Sequence, residues 1–366
     1  MVHQACFMAK IVVIGSGLSG LSAALHLSAE NHHVVLLESK ERIGGRGTSE
    51  QIDRISFGFG PHLLLKNGPV HRLTKKLSRV RLHMQPLRVE HIVTTNGFLR
   101  PQSYAGIAEF RRAIRRIDET SDAVQCLNLL ATYGMDLRSS SKRIKEFAKH
   151  NAMVTAEGWA GIVGRFASAL DEIGVYVETN CKVASIGDHS VRLVDKRKVD
   201  ADAVVLACGP KSTKKLLKPL DIGELQPIHH QYASTIDVAL SSNPMGNYHC
   251  IIDAEQQQFV YHLSRIQPRM VHPGSILSAA KLISSPNENG LDTLSTFLDE
   301  RLAGWRQHIV NIREQASIPV WMRSENSEDM FAEHGLYLAG DWLASEYLLA
   351  DAAVESGKIV ASKLRS

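Results

Sequence analysis

Lys10–Ala24 reads KIVVIGSGLSGLSAA. The apolar run Ile11 to Ile14 leads straight into Gly15-Ser16-Gly17-Leu18-Ser19-Gly20, and a helix-forming stretch follows to about Ala29. A second apolar run, Val34 to Leu37, ends in Glu38. Strand, glycine turn, helix, strand and acid in this order form the dinucleotide-binding fingerprint. Gly15 lets the chain turn sharply out of the strand. Gly17 lets backbone approach a pyrophosphate, and Gly20 lets the helix pack close to the sheet. The helix N-terminus offers unpaired N–H groups and a positive dipole end to phosphate. Glu38 stands 18 residues after Gly20, where a carboxylate can accept hydrogen bonds from ribose hydroxyls. A tight turn without a ligand is the bland alternative, and the embedding in strand–helix–strand weighs against it.

Glu38 is followed by Ser39-Lys40-Glu41-Arg42-Ile43-Gly44-Gly45-Arg46. Here the chain resembles the flavoprotein superfamily of amine oxidases, protoporphyrinogen oxidases and phytoene desaturases, which carry an R-x-G-G-R turn after the acid. The resemblance implies FAD as cofactor, contacted by Gly15 to Gly20, Glu38, Ser39, Arg42, Gly44 and Gly45. Arg46 is then expected at the pyrophosphate, as a charge-assisted contact. Phe57-Gly58-Phe59-Gly60-Pro61-His62 resembles the glycine-rich G-P-H turn that brings backbone to the isoalloxazine ring. His62 either faces the flavin and the substrate or is a hydrogen-bonded buried histidine.

Two further segments carry the resemblance. Residues 157–217 look like the second cofactor-binding segment, and Val183 is the expected backbone contact to adenine. Glu157-Gly158 stands where the family usually has Gly-Gly. At the C-terminal end, Leu336 to Ala339 runs into Gly340-Asp341, and Ala352-Ala353-Val354-Glu355-Ser356-Gly357 resembles the closing G-A-x-x-S-G. Asp341 is expected to accept from a ribityl hydroxyl. The helix N-terminus at Ala350–Ala353, including Ala352 in the usual glycine position, is expected at the flavin N1/C2=O edge.

The 366 residues are 44% hydrophobic and 22% charged, which leaves enough chain for two domains. The expected fold class is α/β, a Rossmann-like FAD-binding domain with a second mixed-sheet and helical substrate domain. The expected division is 8–66, 152–222 and 331–366 for FAD, and 67–151 with 223–330 for substrate. The net charge of +4 is mild and spread out, so no nucleic-acid partner is implied. Five scattered cysteines without ligand spacing read as reduced thiols of a cytoplasmic protein, with no metal site. No apolar run reaches the length of a membrane span, about 20 residues. Residues 1–7 lack a signal-peptide pattern and read as an unstructured extension or a misplaced start. Ser362-Lys363-Leu364 is not terminal, so it is not read as a peroxisomal address.

Residues 70–79 read as helix, 81–100 as a hairpin turning at Asn96-Gly97, and 104–150 as helical. Within the last, Ile107, Phe110, Ile114 and Ile117 recur on one side and Arg111, Arg112, Arg115 and Arg116 on the other. That basic face suits peripheral contact with an anionic membrane through 104–117; a core-facing stripe with solvated arginines is the alternative. Residues 231–240, 247–253, 258–264 and 275–283 read as strands and 290–305 as helix.

The chemistry narrows by two departures. Amine oxidases of the superfamily place an aromatic residue, usually Tyr, at the position of Leu349, and a lysine in a substrate-sheet strand. The matching stretch Tyr232 to Ile236 has no lysine, and Lys281 lies in a different strand. Leu349 beside the flavin favours a small apolar substrate such as an isoprenoid, polyene or porphyrinogen, dehydrogenated by hydride abstraction. An amine oxidase and a non-redox flavoenzyme of the sugar-nucleotide mutase kind remain open. No cysteine falls in residues 335–358, so non-covalent FAD is expected.

Overall fold

A computed structural model describes residues 8–52, 55–58, 60, 63–78, 80–270 and 274–364. Pro61 and His62, with Phe59, His272 and Pro273 and the two termini, lie outside the described residues. The helices in chain order are α1 (Leu18–Ala29), α2 (Pro69–Leu77), α3 (Tyr104–Arg116), α4 (Asp122–Thr132) and α5 (Leu137–Ala148). They continue with α6 (Gly158–Glu172), α7 (Pro210–Leu217), α8 (Leu263–Ile266), α9 (Leu291–Arg301) and α10 (Ala350–Leu364).

Strand Lys10–Ile14 lies inside a five-stranded sheet whose order is Val177–Glu178, His33–Leu37, Lys10–Ile14, Ala203–Leu206 and Leu336–Leu338. Every pairing in it is parallel. Ile11, Val12, Val13 and Ile14 are all buried, because both faces of a parallel sheet are covered. Leu21, Leu27, Phe166 and Val360 from α1, α6 and α10 cover one face, and Leu217, Phe331 and Trp342 pack on the other. The sheet is assembled from segments far apart in the chain, the last of them the C-terminal strand. Helix α10 then closes on α1, where the Ser22 hydroxyl donates to the Val354 carbonyl at 2.7 Å.

The second sheet has seven strands. Their order is Ile309–Arg323, His229–Leu240, Ser275–Ile283, Gln258–His262, Cys250–Asp253, Ile92–Thr94 and Gly97–Phe98. It is mixed, since Cys250–Asp253 pairs parallel with Ile92–Thr94 and the other neighbours are antiparallel. Helices α3, α4 and α5 bury Phe110, Leu127 and Phe147 against one face, and α9 buries Phe297 on the other. The stretch read as one helical region is thus three helices. Ser103 caps α3 by accepting from Gly106 N–H, and Asp136 caps α5 by accepting from Ser139 N–H. Ile117 and Tyr133, both left-handed, end α3 and α4.

One sequence expectation is corrected here, and one element is unforeseen. The hairpin expected over 81–100 is confined to Ile92–Thr94 and Gly97–Phe98, because Met84–Pro86 pairs with Ala152–Thr155 instead. Ile309–Arg323 is a 15-residue strand that the sequence does not announce. It lies at the sheet edge, where Pro319 is tolerated, and three register shifts against His229–Leu240 break its alternation. Among the described residues, no helix is long and apolar enough to cross a membrane.

Candidate cofactor and substrate cavity

Between the two sheets lies a cavity of about 800 Å³. One arm runs along the C-terminal ends of the parallel strands. It is walled by Gly15, Gly17, Leu18, Ser19, Glu38, Ser39, Arg42, Gly44, Gly45 and Arg46, with Val183, Ala339, Gly340 and Asp341. The other arm is walled by Gly60, Leu63, Leu130, Tyr133, Arg143 and Phe147, with Thr235, Ile318, Pro319, Val320 and Leu349.

The fingerprint turn is dictated by sterics. Gly15 has φ +107° and donates its N–H to the Leu37 carbonyl at 2.8 Å, tying the turn to the neighbouring strand. A methyl group on Gly20 would run into the Gly15 carbonyl oxygen, so this position in the first turn of α1 takes only glycine. At Gly17 a Cβ would meet nothing within 4 Å, because it would point into the cavity. Gly17 is also the N-cap of α1, has no side-chain cap, and no acid occupies the first turn. The N-terminal N–H groups of α1 are therefore left to a ligand, and the dipole favours an anionic one. Gly44, at φ +99°, folds the next loop back on this turn through its N–H to the Ser16 carbonyl at 2.8 Å.

Glu38 is buried at the end of its strand. Its Oε2 accepts from Ser16 N–H at 2.9 Å and Ser16 Oγ at 2.7 Å. Its Oε1 accepts from Lys40 N–H at 2.9 Å and Ser39 Oγ at 3.2 Å. Burial pushes the carboxyl up, but the Ser16 and Lys40 amides and the two hydroxyls outweigh it and hold Glu38 below the usual range. Two of these donors are hydroxyl rotors that can yield to an incoming ribose hydroxyl.

Most of the residues picked from sequence meet on one wall, with three displaced. Ser16 and Gly20 lie behind the wall, the first as a ligand of Glu38 and the second under the turn. Ala352 is 1% exposed and faces inward; Ala350 and Ala353 line the cavity in its stead, as the helix period requires. Arg46 and Asp341, expected on different parts of the cofactor, pair with each other. One Nη2 of Arg46 donates to both carboxylate oxygens at 2.6 Å. Lys281 points away and donates to the Gln256 carbonyl at 2.7 Å.

Several wall residues have no sequence motif. Ile318, Pro319 and Val320 come from the unannounced edge strand. Arg143 sits on the buried face of α5 with Ser140, Ile144 and Phe147. A lone charge on that apolar stripe is the signal that could have found it. Leu349 reaches the cavity from a left-handed backbone, φ +57°, just before α10. A leucine held there costs about 1–2 kcal/mol, so the surrounding contacts fix this loop. Behind Gly60, the Asp237 carboxylate accepts from Gly60 N–H at 3.4 Å and from the Ser278 hydroxyl, and Arg313 Nη1 lies 3.7 Å away. Burial pushes Asp237 up to about 6 against these partners.

Residues 10–260 match the family model described as DAO, FAD dependent oxidoreductase. An L-amino acid oxidase of Cerastes cerastes is 38% identical over 72 residues, 19% of this chain and 13% of the oxidase. A 4,4'-diapophytoene desaturase of Staphylococcus haemolyticus is 38% identical over 55 residues, 15% of this chain and 11% of the desaturase. Both matches thus span a small part of those relatives. The crystal structure of an oxidoreductase from Methanosarcina mazei superposes with a TM-score of 0.73 at 19% identity, over 97% of this chain and all of that one. That likeness shows a shared fold.

Proposed function

The chain belongs to the FAD dependent oxidoreductase family, and from that premise we propose that it dehydrogenates an apolar substrate in the arm walled by α4, α5 and the edge strand. FAD, when bound, supplies the acceptor for a hydride leaving a substrate carbon. The residues present fit the cofactor: the uncapped α1 N-terminus and the open side of Gly17 suit a pyrophosphate, and the depressed Glu38 carboxylate suits ribose hydroxyls. We assign Gly44, Gly45, Arg46, Val183, Gly340 and Asp341 to the same cofactor, with Arg46 and Asp341 exchanging their mutual pair for it. The FAD-holding part then comprises 8–66, 152–222 and 331–366, and the substrate part 67–151 and 223–330.

One observation carries the substrate class. The second arm presents Leu63, Leu130, Phe147, Ile318, Val320 and Leu349, and Leu349 stands where an amine oxidase would cage its substrate with an aromatic ring. Such a wall excludes water and gives dispersion contact to a hydrocarbon; it offers no aromatic face at position 349. Anaerobic mixing of the holoenzyme with polyenes, isoprenoids, porphyrinogens and simple amines tests this. Bleaching of the flavin band by an apolar compound supports the reading. Faster bleaching by the amines replaces it with amine oxidation.

A further inference from the structure

Resting on that reading, we propose that Arg143 receives the carboxylate of an otherwise apolar acid, and that it sets the substrate class. Arg143 is 7% exposed and lines the cavity among Leu63, Leu130 and Phe147. A guanidinium carries five N–H donors and is costly to bury unless they are used. Only one is firmly engaged: Nε donates to the Ala131 carbonyl at 2.7 Å. Among the described residues, Nη2 reaches the Leu63 carbonyl at 3.5 Å, Nη1 lies 3.5 Å from Asp351 Oδ2, and the Phe147 ring centre is 5.7 Å off. The fork end of this arginine is therefore under-used on a cavity wall.

The local charge balance is positive. Asp351 answers Arg143, but its own charge is already engaged. Its Oδ1 accepts from Val70 N–H at 3.0 Å, in the first turn of α2, and Asp351 itself lies in the first turn of α10. Each helix N-terminus contributes roughly half a positive charge, while the α4 C-terminus at Ala131 contributes roughly half a negative one. The sum of guanidinium, carboxylate and three helix ends leaves about half a positive charge facing an apolar chamber. A planar monoanion answers it: a carboxylate accepts from the fork in bidentate fashion while its hydrocarbon lies along the apolar wall. A phosphate would call for further cations, and among the described residues the wall beside Arg143 supplies none. A protonated amine would be repelled.

Binding to the oxidised holoenzyme decides this without turnover. Decanoate, decan-1-ol and decylamine are titrated by flavin difference absorbance and by calorimetry. Decanoate is expected to bind at least tenfold tighter than decanol, and decylamine weakest. Arg143→Gln should bring decanoate to the affinity of decanol, with decanol changed less than twofold, and Arg143→Lys should restore part of the preference. Equal binding of decanoate and decanol to the unaltered enzyme overturns the assignment while leaving the apolar reading standing; that comparison holds even where Arg143→Gln does not fold. Retained acid preference in a folded Arg143→Gln overturns it too. Binding of none of the three, or of decylamine most tightly, overturns the apolar reading and the assignment with it.

Discussion

At the fingerprint end of the cavity the turns of the wall are glycine backbone. Gly15, Gly17, Gly44 and Gly45 present peptide groups, and the side chains of Glu38, Arg42, Arg46 and Asp341 stand around them. At the other end the wall is side chains: Leu130, Arg143, Phe147, Ile318, Val320 and Leu349, drawn from helices, an edge strand and a loop far apart in the chain. A ligand gripped by backbone needs particular glycines at fixed spacing, because few residues reach those φ values or allow that approach. A ligand gripped by side chains needs only shape and polarity, which many sequences supply. The first arm is thus specified residue by residue, and the second by the overall packing of the mixed sheet on α3 to α5.

Substitutions should expose this difference. The largest effect is expected from Gly20→Ala, whose methyl would meet the Gly15 carbonyl. With no flexible side chain to give way, a loss of about 3 kcal/mol or more is expected. Thermal unfolding should show a much lower midpoint and little bound flavin. A melting curve matching the unaltered protein would mean that α1 and the turn can separate freely.

Next comes Asp237, beneath the joint between the arms. Its folded value, about 6, is raised above the unfolded 3.8. The folded state therefore keeps a proton that the unfolded chain has lost. The stability from this group is present below about pH 4 and is lost as pH rises through about 6, a change of about 3 kcal/mol. Asp237→Asn should flatten that part of the stability–pH profile in urea unfolding. An unaltered slope would place the titration elsewhere.

Glu38→Ala follows. Hydrogen bonds to a charged group contribute roughly 1.5–3 kcal/mol, so FAD should bind about ten- to a hundred-fold more weakly. An unchanged dissociation constant in a titration of the apoprotein would exclude the ribose contact. The smallest effect on the cofactor is expected from Leu349→Tyr, on the side-chain arm. Turnover of an apolar substrate should fall several-fold as the chamber narrows, while FAD affinity stays within about twofold. A change in FAD affinity as large as that of Glu38→Ala would merge the two arms into one.

The same contrast explains what the sequence allowed. Strand Lys10–Ile14, helix α1 and strand His33–Leu37 follow from an apolar run, three glycines and an acid; both strands lie within a residue of the expected bounds and α1 ends at Ala29 as expected, but it begins at Leu18, inside the glycine turn. The discontinuous parallel sheet was legible because its C-terminal strand ends in Gly340-Asp341. Strand Ile309–Arg323 was not legible: Pro319 and charged residues at Arg313, Glu314 and Arg323 hide a strand whose edge position tolerates them. Arg143 was hidden for the opposite reason. In a helix rich in Lys and Arg it looks like another solvated charge, and only the packing of Ile144 and Phe147 turns it inward. The inward turn of Ala352 depends on where α10 begins, and a sequence pattern locates a helix end only to within a residue or two.

The visible spectrum of the purified protein before and after acid precipitation decides whether this cavity holds FAD, and whether it does so without a covalent bond. Flavin bands are expected in the folded protein, or on incubation with FAD, and all of the colour is expected as intact FAD in the supernatant. A correctly folded protein that stays colourless with FAD, or flavin that remains on the precipitated chain, would contradict this.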